Sequence, residues 1–139
     1  MSAVPSPHSH RSGLPLVRSV FAGLCVPGRH GRAEGPAGVT VSERTGLAIA
    51  SVLVRRGCEA QLADAVSARF GLALPTAPTR AAAGDVAFLW TGPGQWLAIA
   101  EPAAAAGFVA GLATALDGAA SVADQSHGRG VLRLAGPRL

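Results

Sequence analysis

Residues 85–100 read Asp85-Val86-Ala87-Phe88-Leu89-Trp90-Thr91-Gly92-Pro93-Gly94-Gln95-Trp96-Leu97-Ala98-Ile99-Ala100, and the fold turns on them. Asp85 to Trp90 and Gln95 to Ala100 are apolar runs of strand length. Thr91-Gly92-Pro93-Gly94 between them has the residues of a tight turn, so the pair is expected to form a β-hairpin.

Working outward, Leu47 to Val54 reads as a buried strand, β-branched and apolar, closed by Arg55-Arg56-Gly57. Cys58 to Phe70 then places Leu62, Val66 and Phe70 at i, i+4 and i+8. Glu59, Asp64 and Arg69 remain for the wet side, which predicts an amphipathic helix of about three turns with Gly71 as its stop. Leu72 to Gly84, with Pro75 and Pro78, reads as a connector. Past the hairpin, Glu101-Pro102 is expected to open a second helix with Pro at its favoured first position. Its buried stripe is Phe108, Leu112 and Leu116, and Asp117-Gly118 ends it. Gly107 and Gly111 inside that helix suggest a close approach of its backbone to the sheet. Ala120 to Asp124 and Gly130 to Leu134 are expected to pair around the Ser126-His127-Gly128 turn.

The order is strand, helix, strand, strand, helix, strand, with a further strand after it. It predicts an α+β fold of the ferredoxin-like plait type, βαββαβ with extra strands, its two helices on one face of an antiparallel sheet. Val39-Thr40-Val41 is a short extended piece at the start of this domain, residues 39–139. Residues 1–38 are rich in Pro, Gly, Ser, His and Arg without sustained period and read as a flexible N-terminal arm. Within it, Val17 to Val26 has the makings of one docked strand or turn.

Of the 139 residues, 49% are hydrophobic and only 14% charged. So little charge on one domain-sized chain implies apolar surface covered by a partner. The net charge of +4 comes from twelve arginines and no lysine, scattered from Arg11 to Arg138. Nucleic-acid binding would ask for a basic stripe interleaved with stacking aromatics, and aromatics are 4% of the chain. Scattered arginines suit bidentate pairing with carboxylates across a subunit interface. Cys25 and Cys58 belong to no Cys-x-x-Cys pair and have no His at metal spacing, so they read as free thiols in a reducing cytoplasm. Pro15 and Arg18 interrupt the apolar stretch from Leu14 to Cys25. Glu101-Pro102 splits Leu97 to Leu116, leaving a run too short for ~30 Å of hydrocarbon. A soluble, cytoplasmic protein without membrane or nucleic-acid partners is expected.

No segment carries a catalytic, cofactor-binding or metal motif. Asp124, Ser126 and His127 are triad residue types, but adjacency in one turn is not triad geometry; Asp124 reads as a turn residue accepting backbone N–H bonds. His8 and His10 read as solvated side chains, like His30. Gly92-x-Gly94 lacks the third glycine and following helix of a dinucleotide loop. Trp90 and Trp96 could offer a stacking platform for a heterocycle such as folate, though packing in a core or interface is the default for such side chains.

Two segments resemble a known family. Leu89-Trp90-x-Gly92-Pro93-x-x-Trp96-Leu97 resembles the LWLGPDEWLL region of the gamma subunit of heterotetrameric sarcosine oxidase. Asp124-x-Ser126-His127-Gly128-Arg129, followed by Leu132-x-Leu134-x-Gly136-Pro137, is similar to a later region of the same family. Arg44-x-Gly46-Leu47 and Gly71-x-x-Leu74-Pro75 fit its usual order, so the resemblance covers residues 38–139. Gly94-Gln95 departs from the acidic pair often found in that turn.

The resemblance implies a small accessory chain related in fold to the folate-binding aminomethyltransferase domains. It would be non-catalytic by itself and assemble with alpha, beta and delta subunits, chiefly against alpha. FAD, FMN, NAD and tetrahydrofolate would be held by the other subunits, and none by this chain. The complex so implied demethylates sarcosine oxidatively to glycine, transfers the one-carbon unit to tetrahydrofolate and makes hydrogen peroxide. Trp90, Trp96, His127 and Arg129 are the expected interface or packing anchors. The family pattern continues past Gly136-Pro137, so the chain reads as C-terminally truncated. A stand-alone folate-binding or aminomethyltransferase-like module is the alternative.

Overall fold

The computed structural model describes residues 19–32 and 34–139. Within them β1 (Thr40–Glu43) and β2 (Ala48–Val54) precede α1 (Glu59–Phe70). β3 (Arg80–Ala83), β4 (Val86–Gly92) and β5 (Gln95–Ala100) follow, and a 3-10 turn at Pro102–Ala104 leads to α2 (Phe108–Ala115). β6 (Ala120–Asp124) and β7 (Leu132–Ala135) complete the order. The fold is α+β, with two antiparallel sheets: five strands in the order β3-β4-β5-β2-β6, and two strands, β1 and β7.

The hairpin lies where its sequence puts it, with Phe88 opposite Ala98, Leu89 opposite Leu97 and Trp90 opposite Trp96, and a bulge between Trp90 and Gly92. Side chains alternate faces along each strand. Ala48, Ala50 and Val52 of β2, Phe88 of β4 and Trp96, Ala98 and Ala100 of β5 therefore point together into one core. Both helices close that core from the same side, α1 through Leu62 and Val66, α2 through Phe108 and Leu112. Phe70 ties the layers, its ring 5.7 Å from Phe88 and 6.3 Å from Phe108. Gly71 ends α1 in the left-handed conformation (φ 66°), its N–H donating to the Ser67 carbonyl.

Four expectations are corrected. The connector holds an edge strand, β3: Arg-Ala-Ala-Ala has little intrinsic strand preference and is extended by pairing with β4. The second helix does not run unbroken from Pro102, because Gly107 adopts φ 69° and splits the segment into the 3-10 turn and α2. Gly111 is helical, but a Cβ there would meet nothing within 4 Å, so no close approach to the sheet requires it. Finally, β6 and β7 do not pair with each other. β6 joins β2 and β7 joins β1, in different sheets.

Of the N-terminal arm, residues 1–18, with His8, His10, Arg11 and Val17, lie outside the described residues, as does residue 33. Ser19 to Cys25 forms a turn in which Leu24 and Cys25 donate to the Phe21 carbonyl, at 2.9 and 3.1 Å. His30 and Cys25 are exposed, Cys58 is half-buried, and both cysteines are free. No helix is long and apolar enough to cross a membrane among the described residues.

Candidate functional site

The polar residues that concentrate in one place belong to the loop after β6. Gln125 N–H donates to the Ile49 carbonyl at 2.7 Å, carrying the β6–β2 ladder one residue past the strand. The Ser126 hydroxyl then completes it: Oγ accepts from Ile49 N–H at 3.0 Å and reaches the Ile49 carbonyl at 3.4 Å. Gly128 N–H returns to the Gln125 carbonyl at 3.0 Å, which makes Gln125 to Gly128 a β-turn with Ser126 and His127 at its centre. Asp124 accepts the Ser126 backbone N–H at 2.8 Å, as an Asx residue at a turn does. The carboxyl is held below its ordinary value, most by the Ser126 hydroxyl, then by that backbone N–H, with the His127 charge adding a little and slight desolvation opposing. Ser126 and Asp124 are therefore structural, and His127 is presented at the tip, exposed, with Arg129 beyond it.

This loop forms one wall of a cleft of about 430 Å3 at the foot of β2. Leu47, Ile49 and Val131 make its apolar floor, while Ser19, Glu43, His127 and Arg129 contribute polar groups. The size lies within the range of small-molecule sites. The Ser19 hydroxyl donates to the Glu43 carboxylate, and Arg44, which also lines the cleft, pairs with Glu101. At Gly130 a Cβ would collide with Val20 and would lie 2.9 Å from Phe21 Cζ, so glycine lets the N-terminal turn pack against this loop beside the cleft. Among the described residues no group of three His, Cys, Asp or Glu is arranged to hold a metal ion.

The four expected anchors fall into two separate groups. His127 and Arg129 sit at this cleft. Trp90 and Trp96 share the helix-covered side of the sheet, with Trp96 only 8% exposed and its Nε1–H donated to the Pro75 carbonyl at 2.8 Å. Trp96 so enclosed packs in the core, and Trp90 lies half-buried against the same core. Ser19, Glu43 and Ile49 are cleft residues that the sequence does not single out: Ser19 and the β1–β2 segment are distant from the Ser126 turn in the chain and carry no local signal of meeting it.

No protein-family model matches the chain, and no curated protein matches it. Among solved structures it matches a chain described as "Heterotetrameric Sarcosine Oxidase from Corynebacterium sp. U-96 in complex with pyrrole 2-carboxylate". The identity is 34% over 71% of this chain and 50% of that one, with a TM-score of 0.53. This chain is similar to a chain of a sarcosine oxidase. It spans half of that chain's length, and since 71% of 139 residues makes up that half, the matched chain is itself small.

Proposed function

We propose that the protein is an accessory, gamma-type subunit of a heterotetrameric sarcosine oxidase. The observation that carries this reading is the match, at 34% identity, to a small chain of such an enzyme. On this reading the five-stranded sheet with α1 and α2 is a ferredoxin-like plait, since β2-α1-β4-β5-α2-β6 has the βαββαβ order and the helices share one face. The chain's role is to support the assembly that demethylates sarcosine to glycine, passes the one-carbon unit to tetrahydrofolate and releases hydrogen peroxide. Alpha, beta and delta subunits are its partners, alpha foremost, and they hold FAD, FMN, NAD and tetrahydrofolate.

Residue chemistry supports a docking role. His127 and Arg129 project from a turn braced by Ser126 and Asp124, so their backbone is ordered before a partner arrives. Arg129 has no carboxylate within ion-pair distance among the described residues, which leaves its guanidinium for a bidentate partner. On the helix-free face of the sheet, Leu89, Leu97 and Ile99 are only half-buried and Leu53 is 50% exposed. Trp90 and Trp96 serve on the other face as packing anchors.

The test is co-expression of this chain with alpha, beta and delta subunits, followed by affinity capture of this chain. Stoichiometric recovery of a yellow, sarcosine-oxidising complex is expected, weakened by His127→Ala with Arg129→Ala. The isolated chain should be colourless. A stoichiometric flavin spectrum on it, or failure of all three subunits to co-purify, overturns the assignment.

A further inference from the structure

The two-stranded sheet is the feature the accessory role does not absorb. β1 and β7 pair over four residues each, Thr40 with Ala135 through Glu43 with Leu132, and their packing is chiefly against one another. One face of the ribbon is largely apolar and about half exposed: Val39 is 40% exposed, Val41 55%, Leu132 38% and Leu134 52%, with Glu43 opposite Leu132 at its end. The other face carries Thr40, Ser42, Arg133 and Ala135, all exposed. Both outer edges present unpaired backbone groups among the described residues.

Such a ribbon has little stability of its own. Two strands alone are marginal in water, and three or more with a covered apolar face are needed for independent stability. This one also closes a long loop, since the whole five-stranded sheet and both helices lie between its strands. The helix layer cannot cover it, because the core that layer closes is built on the five-stranded sheet. Its two ends are nevertheless built for pairing. The Arg44 N–H donates to the Val131 carbonyl at 2.9 Å, and Arg138 N–H to the Gly38 carbonyl at 3.1 Å. At Gly136 a Cβ would lie 2.9 Å from Val39 Cα, so only glycine admits that close approach.

We propose that the β1–β7 ribbon is the nucleus of a second sheet, completed by antiparallel strands from polypeptide equivalent to the unmatched half of the sarcosine oxidase chain. That half supplies as much chain again as the matched one. Added strands would satisfy the open edges by β-augmentation, and the rest of that polypeptide would pack on Val39, Val41, Leu132 and Leu134. A carboxylate on the incoming strand would meet Arg133, which has no ion-pair partner among the described residues. A second copy of this chain fits less well. An isologous pairing of β7 with β7 would bring two Arg133 side chains onto one short strand pair, and four apolar side chains fall far below a stable dimer's interface. The inference rests on the structural match and not on the catalytic reading.

Hydrogen exchange by mass spectrometry on this chain tests it, without any other oxidase subunit. In the dilute, isolated chain the amides of residues 40–43 and 132–135 should exchange fast while those of β2 and β5 are protected. Adding the unmatched half of the Corynebacterium chain, in trans or fused through a flexible linker, should slow ribbon exchange by about tenfold or more. Val41→Arg with Leu134→Arg should abolish the slowing and leave β2 and β5 protected. The proposal is overturned if the isolated ribbon is already as protected as β2 and β5. It is overturned equally if raising this chain's own concentration produces the protection, which would mark a second copy, or if neither the added nor the fused half slows exchange. Because no flavin or sarcosine turnover enters the readout, a negative result here is distinct from failure of the oxidase reading.

Discussion

Ser126 stands in for a strand neighbour of Ile49: its hydroxyl accepts the Ile49 N–H at 3.0 Å and lies 3.4 Å from the Ile49 carbonyl. Ile49 is 2% exposed, so its N–H has no solvent to fall back on. Ser126→Ala should therefore lower stability by about 1–3 kcal/mol, the cost of a buried donor left unpaired. Urea denaturation measures the loss, and faster exchange of the Ile49 amide locates it. A variant with unchanged stability would mean that the turn holds without the bracket.

The same serine sets the behaviour of Asp124. Its carboxyl pKa is lowered from 3.8 in the fold, chiefly by Ser126. The native state therefore binds fewer protons than the unfolded state in that window. The stabilisation is fully present above 3.8 and disappears as pH falls from there through the lowered native value. Asp124→Asn should flatten the acid limb of the stability curve and leave the neutral region's pH dependence unchanged. Ser126→Ala should move the Asp124 titration, followed by carboxyl-carbon NMR, back up towards its ordinary position.

Trp90 and Trp96 face the same side of the sheet but do different work. Trp96→Ala should cost about 3–5 kcal/mol, as large core truncations do. Trp96→Phe keeps most of the packing and loses the bond to Pro75, at about 1 kcal/mol. Thermal melts rank the two. A Trp96→Phe variant as damaged as Trp96→Ala would show that the link to the α1–β3 connector, rather than burial, holds the hairpin.

These contrasts also show what the sequence could disclose. The β4–β5 hairpin and α1 were legible because their signals are local: a Gly-Pro-Gly turn between apolar runs, and Leu62 and Val66 one turn apart. β3 was not, since Arg80-Ala81-Ala82-Ala83 acquires its strand character only from β4 alongside it. The pairing of β7 was hidden for a similar reason. Leu132-Arg133-Leu134 reads as a strand, but its partner is Val41 from the start of the domain, and nothing in the intervening residues says so. The cleft was half visible, through the Ser126-His127-Gly128-Arg129 turn. Glu43 and Ile49 reach it only because β1 and β2 fold back beside that turn.

Two glycines of opposite character give the sharpest test of the backbone. Gly94 turns the β4–β5 hairpin at φ 70°, and a Cβ there would lie 2.8 Å from Val54 Cγ1. Its carbonyl also accepts the Val54 N–H at 3.0 Å, so the turn cannot move away without breaking that bond. Gly94→Ala should thus destabilise by at least the left-handed penalty of about 1–2 kcal/mol. Gly111 lies within α2, at an ordinary helical backbone angle, and a Cβ there has open space around it. Gly111→Ala should stabilise by about 1 kcal/mol, because alanine removes the entropic penalty of glycine in a helix. Paired denaturation curves decide the matter. Stabilisation at both positions would mean the hairpin turn relaxes away from Val54, and destabilisation at both would mean α2 approaches a neighbour at Gly111 after all.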